Sequence, residues 1–422
     1  MMARRDGHPE ASAPLTVASA LTPVRRIGSF VLGCPPWLLG VIALALALLR
    51  NGIHFDIGSA DFAAGARELP KPLNWFSSSW GPLVVGRLTG IDASTWAWNA
   101  GYLVATLAAL TLAVVIILRR PTPRRRIAVL LLACSPLPAV LLYGIGRYDL
   151  FLITGAALIA LSHRWWLVLV GSLIASSGNP EQSIVAAICL FLVAMAPRFR
   201  AKRRHALVFL GVAFVNWVAV SLWFDHFDVA GSRALFYPVW AFKSVTGFLY
   251  AFPVSLYTWY GAMWLIVLFV IGSLTGRSRW WVVAGLLVLP GLFTVTTLDG
   301  TRVFVCVVAA ASLFVVHEQL HDVEHGEIER LLPDPVRSGP DPRNQAAVAG
   351  LVACALVFLP SLYYYGFNGD IATPWEFLHG PLDPLIKTWE NAVQPWVDEF
   401  SNSVGQSLPD EFGQVGTLRA GW

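Results

Sequence analysis

The segment Thr95–Leu118 constrains this chain more than any other part of its sequence. It runs for 24 residues without a charged side chain and stops at the basic stretch 119–126 (RRPTPRRR). A helix needs about 20 predominantly apolar residues to cross a bilayer, so the segment predicts a transmembrane helix. The composition agrees, because 56% of the residues are hydrophobic and only 13% are charged. A soluble domain keeps about a quarter of its residues charged.

Apolar segments recur along the whole chain. Together they predict an all-α, polytopic bundle of about 11 transmembrane helices. The segments lie at about 28–49, 95–118, 127–145, 150–162, 165–177, 183–197, 206–224, 256–274, 280–297, 303–316 and 346–364.

Two of these segments, 150–162 and 165–177, are shorter than a normal crossing, so they form either a hairpin or one kinked helix. As one crossing, they would move the basic clusters 198–204 and 275–279 to the opposite side from the others. As a hairpin, they leave every strongly basic cluster on the same side. Short loops rich in Lys and Arg stay cytoplasmic. The hairpin is therefore favoured, with the N-terminus cytoplasmic and the C-terminus extracytoplasmic.

This topology divides the chain into a disordered cytoplasmic tail over 1–27, a transmembrane module over 28–365 and an extracytoplasmic tail over 366–422. Within the module, loops 51–94 and 225–255 face outwards. The charged loop 317–345 faces the cytoplasm.

The cysteines and histidines give little support for a metal or cofactor. All five cysteines lie within apolar segments and lack metal-ligand or disulfide spacing. His317, His321 and His325 recur every four residues and would share one helix face. A metal site and a solvated helix extension both fit that spacing, and the extension is favoured, so we predict no metal and no cofactor. The net charge of +4 sits in short loops, which indicates topology and not nucleic-acid binding.

The same topology brings polar residues to the outer side. Ionisable groups at membrane depth are costly, so each should be paired or face a wet cavity. A carboxylate can take a proton from an attacking hydroxyl, and an arginine can grip a phosphate through two hydrogen bonds. These arguments predict Asp56 or Asp61 as a catalytic base. They also predict a set of substrate-binding residues: His54, Arg147, Asp149, Asn179, Glu181, Arg233, Asp299 and Arg302.

Most of these residues also have a simpler structural explanation. Aspartates favour turns and helix caps, which would account for the two first-loop acids. Glu181 follows a proline at a helix start, where a carboxylate complements the helix dipole. Local salt bridges would account for Arg147 with Asp149 and for Asp299 with Arg302. The functional interpretation rests on the convergence of these groups on one side.

Two stretches, HFDIGSADF (54–62) and GRYDLFLITGAALIAL (146–161), resemble the GT-C superfamily. These multi-pass glycosyltransferases use polyprenyl-phosphate-linked sugars, and the resemblance covers about residues 28–365. The layout is similar to that of the actinobacterial polyprenyl-phosphomannose mannosyltransferases. The family's acid in the first outer loop corresponds here to Asp56 or Asp61. The chain differs in lacking an adjacent acidic pair in this loop and a long soluble outer domain.

The resemblance implies an inverting glycosyltransferase of the plasma membrane with its active site on the extracytoplasmic side. Its donor would be a polyprenyl-phosphate sugar, either a hexose or a pentose. Its acceptor would be a cell-envelope glycolipid or polysaccharide. Arginines would hold the leaving phosphate, so this interpretation requires no metal. The implied partners are these substrates and the membrane lipids, with no nucleic acid.

Two other functions fit parts of the pattern. A transporter or flippase for a lipid-linked solute would place ionisable residues near the bilayer midplane, along a path to both sides. Most of the ionisable residues lie instead at segment ends. A non-catalytic envelope-assembly protein would bind partners through loop 317–345 and the outer tail. It would have no site joining the first-loop acids to Arg147 and Arg302.

Overall fold

The computed structural model of the chain describes residues 17–56, 58–229, 241, 244–245, 248–249, 252–297, 299–324, 342–359, 361–364 and 371–372. These residues form a helical fold with one antiparallel pair of two-residue strands, Tyr363–Tyr364 and Ile371–Ala372. The prediction of a helical membrane bundle is confirmed at that level. Arg233, most of loop 225–255 and most of the segment 366–422 lie outside the described residues.

Seventeen α-helices lie within the described residues. In chain order they are α1 (Val17–Gly33), α2 (Pro36–Asn51), α3 (Ser59–Glu68), α4 (Trp80–Thr89), α5 (Thr95–Leu118), α6 (Pro123–Ala133), α7 (Pro136–Tyr143), α8 (Asp149–Leu161), α9 (Trp165–Gly178), α10 (Pro180–Met195), α11 (Arg203–His226), α12 (Val254–Tyr260), α13 (Trp264–Ser273), α14 (Gly276–Val283), α15 (Leu289–Val295), α16 (Gly300–Glu324) and α17 (Pro342–Phe358). A π-helix, Ala284–Val288, joins α14 to α15.

Among the described residues, six helical stretches are long and apolar enough to cross a membrane. They are Thr95–Leu118, Pro123–Tyr143, Pro197–His226, Val254–Ser273, Gly276–Val295 and Gly300–Glu318. α8, α9, α10 and Ala346–Phe358 are apolar but shorter. These lengths confirm a multi-pass membrane protein. Eleven crossings and the sides on which the termini lie stay predictions.

The first predicted span is not one helix. α1 and α2 meet at an angle of 115°. Proline cannot continue a helix but fits its first turn, so Pro35 and Pro36 separate the two helices and begin the second. The Arg126 side chain donates hydrogen bonds to the carbonyls of Val31 (3.1 Å) and Cys34 (2.6 Å), which satisfies the end of α1. The prediction of a continuous helix over 28–49 is therefore wrong. α1 also begins at Val17, inside the segment assigned to a tail.

The two short segments before α10 pack side by side as the predicted hairpin. α8 and α9 are joined by a three-residue turn, 162–164. They approach so closely at Gly155 that a Cβ there would lie 2.5 Å from the Gly171 carbonyl oxygen. α8 also packs on α16, and α9 packs on α11. The hairpin therefore lies between a central helix and a peripheral one.

The burial of the long helices shows where the centre of the bundle is. The apolar windows of Pro123–Tyr143 and Gly300–Glu318 are 83% and 78% buried, whereas those of Thr95–Leu118 and Pro197–His226 are each 28% buried. The first two are central helices, and the last two present most of their surface outwards. The polar residues at the start of α16 therefore begin a helix that is enclosed by protein.

The predicted outer loop 51–94 is folded and fastened to the bundle. It contains α3 and α4, and Trp80 at the start of α4 donates a hydrogen bond from Nε1 to Asn216 Oδ1 (2.9 Å). Trp223 Nε1 donates to the Pro70 carbonyl (2.8 Å). Both bonds join the loop to α11. The loop is thus held against α11 by two side-chain hydrogen bonds.

Candidate active site

After α2 the chain runs extended and pairs with the chain that leaves α7. The backbones of His54 and Asp56 form three hydrogen bonds with those of Leu142 and Ile145, at 2.9–3.1 Å. Such pairing is strand-like although the segment is too short to form a sheet. It brings the carboxylate of Asp56 beside Arg147.

The turn between α7 and α8 depends on Gly146. Its φ is +100°, a value that residues with a Cβ rarely adopt. A Cβ at this position would lie 2.3 Å from Ser59 Oγ. The Gly146 carbonyl accepts a hydrogen bond from Nε1 of the fully buried Trp98 (2.9 Å). α3 and α5 therefore hold the backbone immediately before Arg147.

Five charged side chains meet where this turn faces the start of α16. We call Asp56, Arg147, Asp149, Asp299 and Arg302 the charge cluster. Arg147 forms ion pairs through Nε with Asp56 and through Nη1 with Asp299 Oδ2 (2.9 Å). Arg302 Nε lies 2.9 Å from the same Asp299 oxygen, and its Nη1 lies 3.7 Å from Asp149 Oδ2. Residues from three separate parts of the sequence thus form one network.

The charge cluster is buried. Its side chains are between 2% and 16% exposed, with Asp149 the least exposed and Arg147 the most. The predicted local pair Asp299–Arg302 is present, but Arg147 binds Asp56 and Asp299 from other elements. A buried ion-pair network is weak support for stability, because desolvation offsets much of the attraction. Ionisable residues enclosed in a membrane bundle are instead a default candidate for a functional site.

Three further residues complete the network, and none of them was a predicted site residue. The Tyr148 hydroxyl accepts hydrogen bonds from Arg302 Nη2 and Gln182 Nε2, both at 3.3 Å. The Tyr148 ring lies 5.2 Å from the Arg302 guanidinium carbon, within cation–π range. The Cys306 thiol donates to Asp149 Oδ1 at 3.6 Å. Cys306 follows Arg302 by four residues on α16, so helical spacing was the signal that could have identified it.

His54 and Asp61 lie next to the charge cluster, and its ion pairs involve neither of them. His54 packs its ring 4.8 Å from that of Tyr143, and its buried Nε2 has no hydrogen-bond partner. Asp61 lies in the first turn of α3 and is exposed. Partial desolvation, followed by the negative charge of Asp56, raises the pKa of Asp61. Asp61 is thus the more accessible of the two candidate bases, and its carboxylate is more basic than an ordinary aspartate.

The two residues predicted at the start of α10 have helix-start positions. Asn179 is the N-cap, its Oδ1 accepting the Gln182 N–H (3.0 Å), while its buried Nδ2 has no hydrogen-bond partner. Glu181 lies half-buried in the first turn. The position of Glu181 fits its simpler explanation, Asn179 caps the same helix, and substrate contact stays a prediction for both. Within the described residues, no three His, Cys, Asp or Glu side chains are grouped so as to hold a metal ion.

A small apolar cleft follows α16 away from the charge cluster. Val305, Ala309 and Ser312 line it, together with Trp259 and Tyr260 from α12. The three α16 residues continue the helix face that begins with Arg302, because they are spaced by three or four positions. The cleft therefore extends along the same face of the helix that carries the cluster arginine.

Comparison with known proteins identifies no family. No family model and no solved structure matches this chain. A stretch is similar to Heme A synthase 2 of Acidiphilium cryptum, with 35% identity over 66 residues, covering 14% of this chain and 18% of that protein. The chain thus spans less than a fifth of the curated relative that it matches.

Proposed function

We propose that this chain is a multi-pass plasma-membrane glycosyltransferase that uses a polyprenyl-phosphate sugar on the extracytoplasmic side. The proposal includes about 11 crossings, a cytoplasmic N-terminus and an extracytoplasmic C-terminus, since the basic loops favour that topology. The acceptor is a cell-envelope glycolipid or polysaccharide. The observation that carries the proposal is the charge cluster, in which the first-loop acid Asp56 pairs with the buried Arg147, and Arg147 and Arg302 share Asp299.

The arginines supply the phosphate site of this proposal. Arg147 and Arg302 come from different elements and both contact Asp299. A guanidinium matches phosphate oxygens as well as carboxylates, so a lipid phosphate would compete with the cluster aspartates for the same N–H groups. The leaving phosphate would then be stabilised by two cations without a metal.

The first-loop acids supply the candidate base. Asp61 is exposed and has a raised pKa, so it can accept a proton from an acceptor hydroxyl in the arrangement as it stands. Asp56 is paired with Arg147 and accepts the Gly58 N–H (2.8 Å). A phosphate that takes over Arg147 would release Asp56 to act as the base instead. Either acid would give transfer with inversion in a single displacement.

A purely structural role is the alternative function of the charge cluster, and one observation favours it. The cluster arginines are paired with cluster carboxylates of the chain itself. A non-catalytic envelope-assembly protein would use this network only to tie the first loop to α16. On that alternative, substitutions in the cluster change stability and leave no enzymatic activity to lose.

Single substitutions of the two acids test the proposal. We expect either Asp56→Asn or Asp61→Asn to reduce sugar transfer by about 10²–10⁴-fold, the usual contribution of a general base. The rate of sugar transfer is measured with a radiolabelled polyprenyl-phosphate sugar and an envelope glycolipid, and gel filtration checks that each variant is folded. Asp92→Asn is the matched control, since Asp92 is a buried first-loop acid that pairs with Arg87 outside the cluster. Full transfer by both variants, or none by wild type with any such donor, contradicts the proposal.

The pH profile of transfer identifies which acid is the base. A base must be ionised, so activity rises as the pH increases through its pKa. Because the charge of Asp56 contributes to raising the pKa of Asp61, removing it in Asp56→Asn should lower that pKa. If Asp61 is the base, the acidic limb of kcat/KM then moves to lower pH in Asp56→Asn. An unchanged limb in an active Asp56→Asn variant excludes Asp61.

A further inference from the structure

The charge cluster is not electrically balanced. It contains three carboxylates and two guanidiniums, which leaves a formal charge of −1 when all five groups are ionised. All five side chains are at most 16% exposed. An uncompensated charge enclosed in a membrane protein is costly, because neither water nor lipid solvates it. One positive charge is therefore missing from this site.

The three carboxylates are compensated to different degrees. Asp299 Oδ2 contacts both arginines at 2.9 Å. Asp56 pairs with Arg147 and accepts the Gly58 N–H. Asp149 is 2% exposed, its nearest cation is Arg302 at 3.7 Å, and its Oδ2 has no hydrogen-bond partner. Asp149 is therefore the carboxylate for which the neutral, protonated form costs least.

An anionic ligand makes the imbalance worse. The donor of the proposed function is a phosphodiester, which brings a further negative charge to Arg147 and Arg302. We propose that the site takes up its phosphodiester together with one proton, and that Asp149 carries this proton. The inference rests on the proposed function, since it names the charge partner of the donor phosphate at the same site. When Asp149 is neutral, the Arg302 guanidinium is available to the phosphate. When Asp149 is ionised, it competes with the phosphate for that guanidinium.

The groups around Asp149 support this assignment. α16 presents Arg302, Asp299 and Cys306 to it, and the preceding turn and the first loop contribute Arg147 and Asp56. The hairpin partner α9 has no ionisable side chain. α7 contributes only Tyr143 among residues that ionise. α10 carries Glu181 and Cys189, and its neutral Gln182 contacts the cluster through Tyr148. The positive charge that offsets a bound phosphodiester must therefore come from outside this set, and one proton returns the site to the formal charge of −1 that it has without the ligand.

Binding of a fixed-charge probe over a range of pH tests the inference. A short polyprenyl methyl phosphate keeps a single negative charge between about pH 5 and pH 9, so its own titration does not contribute. We expect wild-type affinity to fall as pH rises, approaching about tenfold per pH unit once free Asp149 is ionised, because one proton is taken up with the probe. Asp149→Asn should bind with an affinity that does not change with pH and that matches the low-pH wild type. Asp92→Asn, the matched control outside the cluster, should keep the wild-type slope.

Proton counting on the wild type covers the case in which Asp149→Asn does not fold. Calorimetric binding in two buffers of different ionisation enthalpy should show uptake approaching one proton per probe on the steep part of the pH curve. The same pH slope in Asp149→Asn, or no proton uptake by wild type, overturns the inference and leaves the glycosyltransferase proposal standing. No binding of the probe at any pH overturns both, because the donor class itself is then wrong.

Discussion

Replacing Arg147 with Met should destabilise the folded protein by roughly 3–5 kcal/mol, the usual cost of removing one partner of a buried ion pair. Arg147 neutralises two carboxylates at once, those of Asp56 and Asp299. Met matches the aliphatic part of the arginine side chain and keeps its apolar contacts, but it leaves both acids buried with fewer partners. Equilibrium unfolding in mixed micelles measures the change. We expect a lower unfolding midpoint with an unchanged denaturant dependence.

A double-mutant cycle separates the ion pair from other effects of this substitution. Because Asp56→Asn removes one of the stranded charges, the double variant Asp56→Asn/Arg147→Met should recover part of the stability lost by Arg147→Met. Arg203→Met is the control, since Arg203 is exposed in a basic cluster, and its unfolding should match wild type. Strictly additive single effects contradict the pairing of Asp56 with Arg147. A stable Arg147→Met variant contradicts the enclosed network itself.

The second large effect is expected at Gly146. An Ala side chain there combines the cost of a positive φ, about 1–2 kcal/mol, with overpacking against Ser59, about 1–3 kcal/mol. We therefore expect Gly146→Ala to lose roughly 2–5 kcal/mol of stability. A backbone shift that relieves the contact with Ser59 would also displace Arg147, the next residue. Binding of a polyprenyl phosphodiester should therefore weaken as well. Unfolding and binding are measured on the same preparation.

Two variants show which part of this effect is steric. Adding Ser59→Ala removes the Oγ that lies 2.3 Å from the new Cβ, so it should restore some stability to Gly146→Ala but not the part due to φ. Gly211→Ala is the control, because Gly211 lies in α11 with open space around it. It should stabilise slightly, as Ala replaces Gly within a helix. Wild-type behaviour of Gly146→Ala would show that the turn adapts and does not position Arg147.

Hydropathy was sufficient to predict the helical membrane class, because each long helix must be apolar along its own length. Thr95–Leu118 is an example, since the polar residues on either side of it mark where it begins and ends. The break between α1 and α2 was not predicted, although Pro35 and Pro36 were visible in the sequence. The apolar run continues across the break, so hydropathy alone does not reveal the change in direction.

The members of the charge cluster and the local pair Asp299–Arg302 were predicted from the sequence, and the pairs between distant parts of the chain were not. The topology predicted from the basic loops puts Asp56, Arg147 and Asp299 on one side of the membrane. That prediction concerns membrane sides and not contacts. The Arg147–Asp299 contact joins residues 152 positions apart. Such a pair depends on how α7, α8 and α16 pack, and no local pattern encodes that.

The sequence by itself determined which segments are apolar enough to be helices in a membrane and which charged residues end them, because both depend on local composition. Only the tertiary structure decided that Arg147 binds Asp56 and Asp299, that Tyr148 supports Arg302, and that Asp149 is the least compensated acid. Each of these depends on distances of a few ångströms between elements far apart in the chain. The helices, packed together, set those distances.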